Sequence, residues 1–366
     1  MEEGRACSLQ GLQPAGLAAC RARMRAVVLH EPVPVGAAPD RQDTLVQVAA
    51  VSEALTALGY RVENLLFTLE TAAIAERLRY WNPALVFNLV EAVEGQGRLI
   101  HLAPALIEAL RIPCTGCDSR ALFMTSDKLL TKRVMAGSGI PTPPWIEPDD
   151  LGRGALPALG ACIVKSVWEE ASLGLDPEAV VLNPMDAAQA LEERATRHGG
   201  VWFAEAYIEG REFNISLLAG DKGPEVLPIS EIRFIDFPPE RARIVDYAAK
   251  WEPESFAFQH TPRSFEFADE ECPLLKRLEH LALKCWHLFG LAGYARVDVR
   301  VDERGQPWVL EINANPCLSP DAGFAAAAAG LGLNLTAVVR RIVSACRAPY
   351  SGVSSLPSLP GLKPPA

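Results

Sequence analysis

The sequence predicts a chain of two characters, α/β at its start and α+β after it. Three observations carry this. Strand-like and helix-like segments alternate from Arg25 to about residue 115. From Ser126 the order changes to helices and antiparallel strand patterns, and a hairpin pattern occupies Tyr294 to Pro316.

Residues 1–24 have no clear period and read as an extension. R-A-V-V-L from Arg25 starts the first strand. Leu45, Val48, Ser52, Leu55 and Leu58 keep helical spacing until Gly59, and Arg61 to Phe67 reads as the second strand. A third strand over Ala84–Val90 precedes a helix ending near Arg111 and a short strand from Ile112 to Thr115. This order predicts a small, mostly parallel sheet over residues 25–117.

A helix from Ser126 to Gly137 then meets the prolines of G-I-P-T-P-P, which demand extended chain. Ala161–Val167 reads as a strand and Asp186–Arg197 as a helix, so residues 118–200 are expected to form a central subdomain. Val201–Ile208 and Glu212–Ala219 read as antiparallel strands around Glu209-Gly210. A long helix over Glu270–Phe289, the hairpin, and a closing helix over Phe324–Cys346 complete a unit spanning residues 201–347. The Ser/Pro-rich tail, 348–366, is expected to be disordered.

In the hairpin, valines alternate with polar residues from Arg296 to Val301, and Trp308, Leu310 and Ile312 repeat the alternation. With Arg304-Gly305 as a two-residue turn, Val297 faces Ile312, Val299 faces Leu310 and Val301 faces Trp308 on the buried side. The same register sets Asp298 opposite Glu311 and Arg296 opposite Asn313 on the other side. Facing carboxylates repel unless a cation lies between them, and an oxygen-only set of two acids and an amide suits Mg²⁺ or Mn²⁺. The alternative is an ordinary amphipathic hairpin on which Arg296 and Arg300 neutralise two solvent-facing acids.

The chain has 366 residues, 49% hydrophobic and 22% charged, enough for a real core. A net charge of −10 argues against nucleic acid or an anionic membrane as main partner, so any phosphate must be bound by local basic residues. No apolar run reaches the length of a spanning helix and the N-terminus opens acidic, giving the expectation of a cytoplasmic protein. Nine cysteines, an odd count, are expected to be reduced thiols. The lone C-x-x-C at Cys114 and Cys117 reads as structural, with a metal (zinc) or redox site as the alternative.

Lys165 ends the strand C-I-V-K and is followed by W-E-E-A-S-L-G-L. Its small-residue loop, with Ser172 and Gly174, could turn backbone N–H groups and a hydroxyl toward phosphate. Glu169 and Glu170 oppose that reading, and an ordinary strand-end lysine is the alternative. Lys128 lies on a helix whose other face carries Leu129, Val134 and Met135, a pattern equally fitting a solvated lysine. Glu205 and Glu212 flank a strand-to-strand passage and could bond a nucleoside, or could simply be surface acids.

Taken in order, T-S-D-K-L-L-T-K-R-V with G-I-P-T-P, I-V-K before E-E-A-S-L-G, E-A-Y-I-E-G-R-E-F-N, V-D-Y-A-A-K-W, and A-R-V-D-V-R-V-D with L-E-I-N-A-N-P resemble the ATP-grasp superfamily. The closest likeness is to its D-alanine–D-alanine ligase branch, over roughly residues 25–345. The resemblance implies an ATP-grasp fold with an N-terminal small parallel α/β domain, a central lid subdomain and a C-terminal α+β domain binding ATP and two Mg²⁺ (or Mn²⁺) ions. It assigns Lys128 and Lys165 to the ATP phosphates, with the loop Glu169–Leu175 and Ser172 closing over them. Glu205, Ala206 and Ile208 would meet adenine, and Glu212 the ribose. Lys250 would reach the γ-phosphate, Asp298, Glu311 and Asn313 would bind magnesium, and Arg296 would steady the transferring phosphate. A homodimer is implied on the same ground.

Departures cluster on the amino-acid half. Glu31, in H-E-P-V-P-V-G, is a poor match for the family's amino-group glutamate. Asn88 and Glu91 stand where a histidine is expected, Trp251 replaces a tyrosine, and Cys317 replaces a glycine. Ser319 is the candidate for the second substrate's carboxylate, or caps a turn before Pro320. These departures give the expectation of a carboxylate-amine ligase working through an acyl phosphate on small amino-acid-like substrates other than those of D-alanine ligases. The alternatives are a true D-alanine–D-alanine ligase and a non-catalytic nucleotide-binding protein.

Overall fold

The structure, a computed structural model, describes residues 24–147, 160–169 and 172–346. The expected N-terminal extension up to residue 23, Glu170 in the phosphate loop and the Ser/Pro-rich tail lie outside the described residues.

The chain opens with β1 (Arg25–His30), α1 (Pro39–Ala57), β2 (Arg61–Leu66), α2 (Thr71–Trp81) and β3 (Leu85–Asn88), followed by α3 (Leu102–Ala109). The strands form a parallel sheet in the order β2-β1-β3. β1 is central and Ala26 to Leu29 are fully buried, as expected of a parallel strand covered on both faces. Proline at its start and Asp40 in its first turn favour α1. Its buried stripe is Thr44, Gln47, Val48, Val51, Ala54 and Leu55, whereas the expected Leu45 is 48% exposed. The short strand expected over Ile112–Thr115 reduces to one bridge between Val86 and Cys114.

Next come α4 (Ser119–Ser126) and α5 (Lys128–Gly137). The helix expected from Ser126 to Gly137 forms as α5 and starts at Lys128, after Asp127, which is extended and caps it by accepting from Leu130 N at 2.9 Å. A four-stranded antiparallel sheet follows, built from β4 (Trp145–Ile146), β5 (Cys162–Ser166), β6 (Val180–Val181) and, after α6 (Ala187–His198), β7 (Trp202–Ala206), in the order β4-β7-β5-β6.

The third sheet contains β8 (Gly210–Gly220), β9 (Gly223–Val226) and β10 (Ser230–Ile232). After α7 (Tyr247–Trp251) and α8 (Phe256–Gln259) it continues with β11 (Arg263–Ser264) and, after α9 (Cys272–Phe289), with β12 (Tyr294–Asp302) and β13 (Pro307–Asn313). Its order is β11-β10-β8-β12-β13, with β9 on β8. Phe213, Ile215, Val297, Val299 and Ile312 pack here against Leu278, Leu281, Cys285 and Phe289 of α9. Each such fully buried side chain contributes about 1.5–3 kcal/mol.

Three expectations about this region fail, two of them on how its elements connect. β7 and β8 are not a pair: β7 lies between β4 and β5, and β8 between β10 and β12. Glu209-Gly210 is therefore a passage between sheets. Gly210, at φ 145°, is tightly pressed there, since a Cβ would stand 2.1 Å from the Val301 carbonyl oxygen. The expected closing helix is two helices, α10 (Gly323–Ala329) and α11 (Leu335–Ser344), because Gly330 and Gly332 interrupt it and Asn334 caps the second by accepting from Ala337 N.

The hairpin register differs near its turn. Glu303, Arg304 and Gly305 form a three-residue loop: Asp302 N bonds Gln306 O at 3.0 Å, and Gly305 has φ 75°. Val299 consequently faces Val309 and Val301 faces Pro307. A bulge at Leu310 then restores the count, so Asp298 faces Glu311 and Arg296 faces Asn313. The expected Val299–Leu310 and Val301–Trp308 pairs do not form. Val309 takes the core position, and the Trp308 indole donates to Asp302 Oδ2 at 3.0 Å.

Candidate active site

A cavity of about 530 Å³ is walled by the second and third sheets, by α7, and by residues from the loops around the first sheet. Of the twelve site residues expected from the sequence, eleven line it: Lys165, Ser172, Glu205, Ala206, Ile208, Glu212, Lys250, Arg296, Asp298, Glu311 and Asn313. Lys128 does not. It is buried and donates from Nζ to the Glu169 carbonyl at 2.7 Å, at the start of the loop expected to meet phosphate.

β5 and β7 pair in a register that sets Lys165 opposite Phe203 and Ile163 opposite Glu205, bringing Lys165 and Glu205 to adjacent positions. Glu205 is 1% exposed, with Oε1 2.6 Å from Lys165 Nζ and Oε2 2.5 Å from Lys132 Nζ. Burial alone would raise its pKa, but the two ammoniums outweigh it and hold the carboxyl below its usual range. Lys132, which also donates to Thr142 Oγ1 at 2.8 Å, was not singled out in the sequence. One signal was available: it falls three residues from both Leu129 and Met135, inside the apolar stripe of α5, where a lysine must be paired.

Arg300, on β12, is 3% exposed and gathers the adjoining segment. It donates to Ile208 O at 2.8 Å, to Glu212 Oε2 at 3.1 and 3.0 Å, and to the Arg243 carbonyl. It thus neutralises Glu212 of β8 and not an acid of the hairpin, as the amphipathic alternative expected. Arg296 does meet a hairpin acid, Asp298, through two bonds of 2.8 and 3.0 Å, while Asn214 Nδ2 adds a third at 2.9 Å. Burial opposes ionisation of Asp298, yet Arg296 prevails and its pKa is lowered.

Glu311 makes no hydrogen bond or ion pair to a described residue, although it faces Asp298. Asn313 Oδ1 accepts from Asn315 N at 2.9 Å. Among the described residues no group of three or more His, Cys, Asp or Glu side chains is arranged to hold a metal. The donor set is two carboxylates and an amide oxygen, one acid of it unpaired, which fits a hard divalent cation that also takes phosphate oxygens.

Two bonds join segments at the cavity wall. Ser172, at φ 61°, donates from Oγ to Val245 O at 2.8 Å, and Tyr247 N donates to Leu175 O at 3.1 Å. Tyr247 also bonds Asp40 Oδ1 at 2.8 Å, tying α7 to α1. Lys250 on α7 faces Arg296 and the acids Glu311, Asp298 and Glu212, and its pKa is lowered by desolvation first and then by Arg296.

The other end of the cavity is lined by Asp43, Glu91, Trp251, Arg263, Cys317, Ser319 and Asp321. Ser319 is 1% exposed and donates to Asp43 Oδ1 at 2.6 Å, and Cys317 donates to Asp43 Oδ2 at 2.9 Å. Glu91 accepts from Gln47 at 2.8 Å. Glu31 is not among the lining residues: it is buried, bonded by Thr44 Oγ1 at 3.3 Å and Glu91 N at 3.2 Å. Asn88 turns its side chain to Val90 N at 3.2 Å. Cys117 exchanges bonds with the Ala292 backbone, and the cysteines among the described residues are free thiols. No described helix is long and apolar enough to cross a membrane.

The family model described as D-ala D-ala ligase C-terminus matches residues 156–344. A D-alanine–D-alanine ligase of Methylococcus capsulatus is 32% identical over 312 residues, 84% of this chain and 92% of that one. An uncharacterized protein of Sinorhizobium fredii is 31% identical over 275 residues, 73% of this chain and 76% of its own length. Among solved structures, the Bacillus anthracis D-alanine–D-alanine ligase complexed with ATP has a TM-score of 0.67 at 20% identity, covering 88% of this chain and 97% of that one. That likeness carries the fold, and the sequence matches carry the kinship: the chain belongs to the D-alanine–D-alanine ligase-like branch of the ATP-grasp superfamily of ATP-dependent ligases.

Proposed function

We propose that the chain joins two D-alanine molecules at the expense of ATP, through an acyl phosphate. The observation that carries this is the Asp298–Glu311–Asn313 face, next to Arg296 and in the same cavity as Lys165 and Glu205. The ligase relatives support D-alanine more strongly than the divergent substrates expected from the sequence.

Asp298, Glu311 and Asn313 would hold Mg²⁺ or Mn²⁺, two ions by family resemblance, and the metal would screen the phosphate oxygens as charge shifts during transfer. Lys165 offers a cation to the nucleotide phosphates. It keeps its proton, because Glu205 outweighs the effect of burial and raises its pKa. Arg300 holds Ile208 and Glu212 in position for the nucleoside. A carboxylate oxygen of the first amino acid attacks the γ-phosphorus and the bond to the bridging oxygen breaks, releasing ADP. Arg296 and Lys250 offset the charge developing there. The second amine attacks the acyl carbon, loses a proton, and expels phosphate. The Ser172–Val245 and Tyr247–Leu175 bonds keep water from the acyl phosphate in the meantime. Divisions of the chain near residues 117 and 200, a homodimer and a cytoplasmic setting belong to the same reading.

One observation favours a second reading, a ligase for a different amino-acid pair. The hydroxyl of Ser319 is committed to Asp43, and Asp43, Glu91 and Asp321 make the substrate end acidic. ADP release by the purified chain with ATP, Mg²⁺ and D-alanine alone separates the two. Robust turnover is expected; turnover only with other pairs favours the second reading, and none with any pair leaves a non-catalytic nucleotide binder.

A further inference from the structure

One cation in the cavity has no assigned work. Arg263 begins β11, opposite Ile232 of β10, and its guanidinium opens onto the cavity. It makes no hydrogen bond or ion pair to a described residue. Its charged neighbours are Arg296, which repels it, and Asp321, which attracts it without forming an ion pair. The residue is exposed to solvent. Two guanidiniums set toward one cavity repel as two carboxylates would, and an anion between or beside them relieves this.

That anion is not the γ-phosphate. The guanidinium lies against Gly323, on the cavity-lining segment that carries Ser319 and Asp321, whereas Lys250 stands on α7. Arg263 is therefore at the amino-acid end, with Ser319. Ser319, the residue expected from the sequence to meet the second substrate's carboxylate, is buried and donates its proton to Asp43. Gly323 leaves room beside the guanidinium: a Cβ at that position would come within 3.3 Å of Nη2 and 3.4 Å of Cζ and Nε.

We propose that Arg263 binds the carboxylate of the amine-bearing substrate. The guanidinium's planar fork fits a carboxylate through two parallel bonds, which neither a lone hydroxyl nor an ammonium supplies. The inference rests on the ligase reading but on neither of its two substrate choices.

The test uses the full chain with ATP and Mg²⁺, measuring ADP release with D-alanine and the standard L-amino acids in pairs, then with the carboxamide of the best acceptor. Wild-type enzyme is expected to prefer the acid over its carboxamide. Arg263→Gln should raise KM for the acid at least about tenfold, leave KM for ATP unchanged and abolish that preference, with Arg263→Lys intermediate. An unchanged acceptor KM and preference in Arg263→Gln, or a fall in kcat alone, overturns the inference while sparing the ligase reading. No ADP release by wild type with any pair overturns both, before any variant is compared. If Arg263→Gln fails to fold by circular dichroism, Gly323→Ala, which crowds the guanidinium without removing it, is read by the same ratio.

Discussion

The two ends of the cavity are built on different principles. At the proposed nucleotide end most of the side chains stand on regular strands, β5, β7, β8, β12 and β13, with Lys132 on α5 and Lys250 on α7, and charges are matched in place: Lys132 and Lys165 on Glu205, Arg300 on Glu212, Arg296 on Asp298. At the amino-acid end the groups come from α1, from the segment after β3, from β11 and from the loop after β13, and most are satisfied by neutral donors. Strand geometry fixes the first end to the chemistry common to its family. Loop geometry leaves the second free to vary without disturbing the first.

The comparison is broken most severely at Glu205. Glu205→Gln takes from Lys132 and Lys165 the anion they share, and removing one member of a buried ionic group costs about 3–5 kcal/mol. Urea unfolding should show that loss at pH 7. The sign with pH follows from Glu205's lowered pKa: its contribution is complete above the unfolded value, 4.5, and is lost as pH falls through the folded value. The gap between wild type and variant should therefore narrow below pH 4.5. A gap independent of pH would mean that Glu205 acts by packing rather than by charge.

The next effect falls on activity alone. Glu311 is half-buried and unpaired among the described residues, so Glu311→Gln removes a charge facing Asp298 without opening a hole in the core. ADP release should fall on the order of 100-fold or more, with the thermal midpoint within a few degrees of wild type. Unchanged turnover would remove Glu311 from the metal face.

What the sequence made legible follows the same divide. Alternation along β12 and β13 gave the polar face of the hairpin, because side chains on a strand have no freedom to choose a side. The partners of β7 and β8 were misread because pairing is a tertiary choice, made when β4, β5, β10 and β12 compete for the same edges. Lys132 escaped notice because a helical lysine is usually solvated, and its partner is 73 residues away in the chain. Arg263 carries no motif at all; its meaning arises only from Arg296 and Gly323 beside it.

At the amino-acid end, Asp43→Ala removes the acceptor for both Ser319 and Cys317. KM for the amino-acid substrate should rise about tenfold, since a hydrogen bond to a charged group contributes about 1.5–3 kcal/mol, while KM for ATP stays unchanged. A matching rise in both constants would show the two ends to be mechanically coupled, against the independence argued above.

The smallest effect tests how the metal face is held in register. The sequence expectation counted a two-residue turn and no bulge; the chain has a three-residue turn and a bulge at Leu310, and the two differences cancel beyond it. Register at Asp298 and Glu311 is thus also held from the other side of β12, where Asp298 pairs with Asn214 of β8. Gly305→Ala imposes a left-handed conformation on a residue with a Cβ and should cost about 1 kcal/mol of stability. ADP release should be unaffected, because strain at the turn is absorbed before it reaches Glu311. A fall in turnover comparable to that of Glu311→Gln would mean that the turn, and not the β8 pairing, sets the opposition of the two acids.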